Sequence, residues 1–109
     1  MTNEYGVPID NNHYAPSILP VASAGCFICQ RTDRPLQRHE IFHGPFRTRS
    51  KELGLWVNIC DECHRALHQK DGRIDRNLKE VGQKWAQIHY VWSVDDFRNH
   101  FGKNFLEEP

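Results

Sequence analysis

The sequence predicts a small α+β fold held together by a metal staple. Three features carry that reading. Cys26 and Cys29 pair with Cys60 and Cys63 as two Cys-x-x-Cys motifs. Residues 55–60 form a run rich in β-branched and aromatic side chains. Leu78, Val81, Trp85 and Ile88 repeat at spacings of 3, 4 and 3, one face of a helix. At 109 residues the chain makes about one domain, and 39% hydrophobic content leaves it a small core. The 14 Lys+Arg balance 14 Asp+Glu, which excludes a uniformly basic nucleic-acid coat. No run approaches the roughly 20 apolar residues of a membrane span, so no membrane partner is expected. Aromatics at 11% argue against bulk disorder. The first 25 residues hold Glu4 and Asp10 but no basic cluster and no apolar stretch, so no secretion leader is expected. A cytoplasmic setting follows, and there four cysteines favour a metal over disulfides.

The elements follow in chain order. Residues 1–25 carry Pro8, Pro16 and Pro20 and read as an extended arm, with Ile18 and Leu19 as its candidate anchors. Cys26-x-x-Cys29 opens a core spanning 26–70. Residues 31–35 make a turn and 36–42 a first strand, broken by Gly44-Pro45. A polar loop is expected over 44–53, then the second strand at 55–60. Asp61 is the expected N-cap of a short helix running to about Gln69 and closed by Asp71-Gly72. The C-terminal segment, 71–109, is expected to hold one or two helices. The first covers 75–90. A second starts at the Ser93–Asp96 capping box, runs through Phe97 and Phe101, and ends at Gly102. Trp56, Trp85, Trp92, Phe97 and Phe101 are assigned to packing.

Two Cys-x-x-Cys pairs with 30 residues between them match a tetrahedral zinc site, each pair presenting two thiolates from one tight turn. The alternatives are redox Cys-x-x-Cys motifs or two disulfides, but no thioredoxin-like βαβ pattern surrounds either pair. A structural zinc at Cys26, Cys29, Cys60 and Cys63 would supplement the small core. His64 and His68 stand four apart after the last cysteine, so on a helix both imidazoles reach one ion. With His39 from the first strand they form a candidate site for a second divalent metal, open to hydrolytic chemistry. The bland alternative is that they are surface or hydrogen-bonded histidines. From Gln30 to Lys51 six basic residues face two acidic ones, a local +4 in a neutral chain. Arg38, Arg47, Arg49 and Lys51, with neighbouring hydroxyls, suit phosphate contacts, so DNA is the expected partner; a merely solvated loop is the alternative. Acidic compensation is expected at Asp95, Asp96, Glu107 and Glu108.

Three segments together resemble the HNH endonuclease superfamily, the ββα-metal nucleases. They are Cys26-x-x-Cys29, Leu36-Gln-Arg-His39-Glu40-Ile41-Phe42, and Leu55-Trp-Val-Asn-Ile-Cys60-Asp-Glu-Cys63-His64-Arg-Ala-Leu-His68. The tail from Phe97 to Leu106 is similar to that of small HNH-like bacteriophage proteins. The resemblance implies a zinc-stapled ββα-metal core with an extended N-terminal arm and one or two C-terminal helices. It implies a metal-dependent DNA endonuclease or nickase, phage-derived and acting in the bacterial host cytoplasm. By position, His39, His64 and His68 match the ligands of a catalytic Mg, Mn, Ni or Zn ion, and Glu40 takes the place of the general base. A shifted register would make His39 the base and put Arg38 at a ligand position, where a guanidinium cannot serve. His43 is a substitute base if the strand end curls inward. Leu55 stands where the family carries an Asn, and Asn58 lies three positions late. Glu40 and Leu55 favour an alternative function, a non-catalytic zinc-binding adaptor on an HNH scaffold that binds DNA or protein in phage recombination or counter-defence. A third reading is a homodimer, or a complex with a phage or host protein, whose site the partner completes.

Overall fold

Two short strands pair antiparallel and organise everything else in this computed structural model, which describes residues 1–20, 25–69 and 72–106. Strand β1 (Leu36–Glu40) runs against β2 (Trp56–Cys60), in register from Leu36 opposite Cys60 to Glu40 opposite Trp56. Val57, Ile59 and Cys60 of β2 are fully buried. On β1 the alternation leaves Arg38 exposed and buries His39 opposite Val57. The ladder ends at Glu40, two residues before the sequence predicts. Ile41 and Phe42 leave it because both are needed in the core, where they are 0% and 2% exposed.

The expected polar loop over 44–53 is instead a 3-10 turn at Gly44–Phe46 followed by helix α1 (Arg47–Glu52). Pro45 in the first turn suits a helical start. Ser50, fully buried, donates to the Leu55 carbonyl at 2.6 Å and accepts from the Phe42 N–H at 3.2 Å. It anchors the helix rather than offering a hydroxyl to a phosphate. The segment shows no apolar periodicity, so the helix was not legible in it.

Helix α2 (Asp61–Leu67) is capped by Cys60, not Asp61: the Cys60 sulfur accepts from the Cys63 N–H. Asp61 instead takes two hydrogen bonds from Arg34, both 2.7 Å, tying the turn before β1 to α2. The helix ends two residues short of Gln69; the predicted stop at Asp71 lies outside the described residues, as do Glu107 and Glu108. Helix α3 (Arg73–Tyr90) buries Leu78, Gly82, Gln83 and Ala86, a stripe rotated from the predicted one, and Ile88 is 67% exposed. Small residues decide the rotation. A Cβ on Gly82 would lie 2.9 Å from the Ile41 side chain, so α3 rests on Ile41 and Phe42 through the face that lacks bulk. Helix α4 (Val94–Phe101) starts at the predicted Ser93–Asp96 capping box and ends at Gly102, φ 78°. Phe97 and Phe101 are buried as expected and join Phe42 and Phe105, with ring centroids 4.5–5.4 Å from Phe42. Both helices of the C-terminal segment therefore form.

The arm is pinned along α1 and β2. Ala15 donates to the Lys51 carbonyl, Ser17 Oγ to the Trp56 carbonyl, and Ile18 to the Gly54 carbonyl. A Cβ on Gly54 would meet the Pro16 carbonyl oxygen at 2.3 Å, so this close approach needs glycine. Leu19 is buried at 4%, the anchor expected of it. No helix among the described residues is long and apolar enough to cross a membrane.

Candidate functional site

The four cysteines converge between the turn before β1 and the start of α2. Their sulfurs all lie within 4.8 Å of one another, the only such group of three or more His, Cys, Asp or Glu among the described residues. Both motifs fold alike: the Cys29 N–H points to the Cys26 sulfur at 3.5 Å, and the Cys63 N–H to the Cys60 sulfur at 3.4 Å. Four sulfurs at about 2.3 Å from a zinc stand about 3.8 Å apart, and Cys29 and Cys60 are 3.8 Å apart across the two pairs. Burial pushes the Cys26 thiol up, but the backbone N–H groups of Cys29, Cys60 and Ile28 outweigh it and bring it down to about 6. Burial and the three neighbouring thiols hold Cys63 far above the ordinary thiol range. Four crowded thiols therefore cannot all ionise unaided. A divalent cation removes that conflict, and the donor set fits zinc. Cys26, Cys29, Cys60 and Cys63 are thus close enough to hold a metal ion as the spacing predicts.

A second cluster gathers at the Glu40 end of β1. Arg38, His39, Glu40, His43, Arg47, His64 and His68 line one cavity of about 200 Å³. Seven residues singled out from the sequence thus meet in one place. The strand contributes Arg38 to Glu40, α2 contributes His64 and its C-cap residue His68 one turn on, and the chain after Phe42 brings His43 back to the cavity. The Nε2 atoms of His64 and His68 are 3.4 Å apart, close to the roughly 3.3 Å of two imidazoles on one tetrahedral zinc. His39 is 7% exposed, and its buried Nε2 has no hydrogen-bond partner. A polar atom so placed is costly unless something engages it. Burial, with the neighbouring His43 and His64, lowers the His39 pKa to about 4, so the ring is neutral and its nitrogen lone pair available at pH 7. The set is looser than the cysteines: the His39 and His64 ring centroids are 6.0 Å apart.

The two candidate bases differ in their surroundings. Both Glu40 oxygens are engaged: Tyr14 Oη donates to Oε2 at 2.9 Å and Arg47 Nε lies 3.3 Å from Oε1. Burial and the Glu40 carboxylate push the Tyr14 hydroxyl up to about 12, so it remains a donor. His43 Nε2 sits 3.0 Å from Asp75 Oδ1 on α3, and Lys79 holds the other oxygen of Asp75 at 3.0 Å. Neither Asp75 nor Tyr14 carried a sequence signal. One lies 32 residues and the other 26 residues from its partner, and only packing joins them.

The basic residues separate. Arg38 and Arg47 border the cavity, Arg38 lying over the Tyr14 and Trp56 rings at 4.4 and 4.8 Å. Lys51 Nζ lies 4.9 Å from the Tyr14 ring centroid. Arg49 donates to the His100 carbonyl at 2.6 Å and lines a different cavity, beside Asn3 and Glu4. Leu55 is wholly buried, and Asn58 sits opposite Arg38 in the ladder. No protein-family model, curated protein or solved structure matches this chain.

Proposed function

We propose that this chain is a metal-dependent DNA endonuclease or nickase built on an HNH-type ββα-metal core. The observation that carries the reading is that His39, whose buried Nε2 has no hydrogen-bond partner, lines the same cavity as His64 and His68. His39, His64 and His68 would hold a divalent ion there, which supplies charge stabilisation at a scissile phosphate. Arg38 and Arg47 border the cavity and hold the phosphate backbone; Arg47, 60% exposed, swings from Glu40 to the substrate. His43 donates its Nε2–H to Asp75, leaving Nδ1 to accept a proton from water. Glu40, engaged by Tyr14 and Arg47, supports Arg47 rather than acting as base.

The test is a plasmid-nicking assay across Mg, Mn, Ni and Zn, comparing the wild type with His39→Ala and His64→Ala. Nicking by the wild type, lost in both variants, is the expected result. Equal activity in all three proteins sinks the assignment. The occupied Glu40 carboxylate favours a second reading, a zinc-bound adaptor that binds DNA or protein without cutting. Metal counting separates the two: one firmly held zinc per chain supports the adaptor, and a second, exchangeable ion the nuclease.

A further inference from the structure

A second, larger cleft of about 410 Å³ adjoins the histidine cavity and shares His43 with it. Pro45, Phe46, Phe101 and Phe105 supply its apolar lining, and Lys79 and Lys103 supply its charge. The Phe46 and Phe101 rings stand 6.1 Å apart, and the ammonium groups of both lysines lie 5.5 Å from the Phe105 ring centroid. Phe46 and Phe105 are half-buried, leaving part of each ring open. The cleft is built rather than incidental. Gln83, 0% exposed on α3, accepts the Phe105 N–H at 2.7 Å and fixes that ring's backbone. Gly102 has φ +78°, and a Cβ there would lie 3.0 Å from the Phe46 ring.

Aromatic rings beside ammonium groups, Lys79 fixed by Asp75 and Lys103 exposed, are the composition that takes a nucleobase together with its phosphates. The volume is that of a small-ligand site. A base paired within a duplex keeps its faces stacked on its neighbours and cannot reach these rings. The geometry points to a subsite for one unpaired nucleotide, its base against Phe46 and Phe105 and its phosphate on Lys79 and Lys103, next to the phosphate at His43. This deepens the nuclease reading and rests on it: the substrate is single-stranded DNA, or a duplex with an unpaired nucleotide beside the cut. Charge and continuity with the histidine cavity single out this occupant over an apolar peptide.

The experiment measures binding, apart from cleavage, by fluorescence anisotropy on the full chain with its zinc and no added divalent ion. The ligands are a labelled oligothymidylate of about ten nucleotides, the same backbone with abasic residues, and a blunt duplex of that length. The expected order has oligothymidylate tightest. Phe105→Leu keeps apolar bulk but removes the ring, and it should weaken oligothymidylate at least about fivefold while leaving the abasic chain unchanged. Lys103→Glu is an exposed change that leaves the fold intact, and it should weaken both single strands. Abasic and thymidylate chains bound equally by the wild type, no binding of either, or a Lys103→Glu protein that binds like the wild type overturns the subsite. A protein that nicks plasmid yet ignores the base loses this inference and keeps the nuclease reading. One that prefers oligothymidylate through Phe105 but never nicks keeps the subsite and loses the nuclease.

Discussion

Replacing Gln83 with Met removes an amide while keeping the length of the side chain, so it isolates a polar network from a cavity. Gln83 is 0% exposed, and its amide makes three hydrogen bonds. Nε2 donates to Gln87 Oε1 and to Asn104 Oδ1, both at 2.8 Å, and Oε1 accepts from the Phe105 N–H at 2.7 Å. The three partners are not equally exposed to loss. Asn104 Oδ1 still accepts from the Leu106 N–H at 3.1 Å, whereas Gln87 keeps only the bond that its Nε2 donates to the Trp92 carbonyl at 3.4 Å and loses the donor to its Oε1. Among the described residues the Phe105 N–H has no second acceptor. Three bonds at about 0.5–1 kcal/mol each, plus about 0.5–1 kcal/mol for the part-exposed groups left orphaned (the Phe105 N–H and Gln87 Oε1), come to a loss of about 2–4 kcal/mol. That is a large share of the roughly 5–15 kcal/mol that holds a domain together. Urea unfolding followed by tryptophan fluorescence reads it as a midpoint drop on the order of 1–2 M at unchanged slope. A loss below about 1 kcal/mol would refute the reasoning, since it would mean that water replaces the network and that the 102–106 segment is not fastened by Gln83.

Dialysed protein should carry one zinc per chain, and Cys63→Ser should lose it together with cooperative unfolding; a metal-free wild type with the same melting curve contradicts the site. His39 titrates at about 4 in the folded chain against 6.5 ordinarily, so between those values the unfolded chain binds the proton first. Its contribution is fully present above about pH 6.5 and is lost as pH falls through about 4. Without added divalent ion, the stability of wild type should therefore fall more steeply than that of His39→Asn from pH 7 to pH 4, and parallel curves rule this out. Asp75→Asn leaves His43 without its carboxylate, and nicking should drop about tenfold or more while oligonucleotide binding holds. Loss of binding and nicking together would assign Asp75 to the fold alone.

The elements with strong local signals were legible because each needs only neighbours in sequence. The Cys-x-x-Cys turns, the β-branched and aromatic run ending at Cys60, the Ser93–Asp96 box and the Gly102 stop are all of this kind. Helix α1 was not, because its residues repeat no apolar pattern and the residue it buries is a serine, Ser50. The face of α3 was misread for a related reason. Periodicity counts bulk, whereas contact with Ile41 and Phe42 selects Gly82, and the buried stripe runs through it and the small Ala86.

The candidate site divides in the same way. The sequence by itself determined each Cys-x-x-Cys turn and the pairing of His64 with His68, since two-residue gaps and one helical turn bring ligands together whatever surrounds them, while the strand pairing that sets Leu36 opposite Cys60 joins the two cysteine turns into one cluster. Only the tertiary structure decided the partners reached across long separations. The arm lays Tyr14 on Glu40, α3 offers Asp75 to His43, and α1 turns Arg49 away to the His100 carbonyl while Arg47 stays at the cavity. Those contacts depend on how helices and arm pack onto two strands. A side chain's local sequence carries no record of the surface that will close over it.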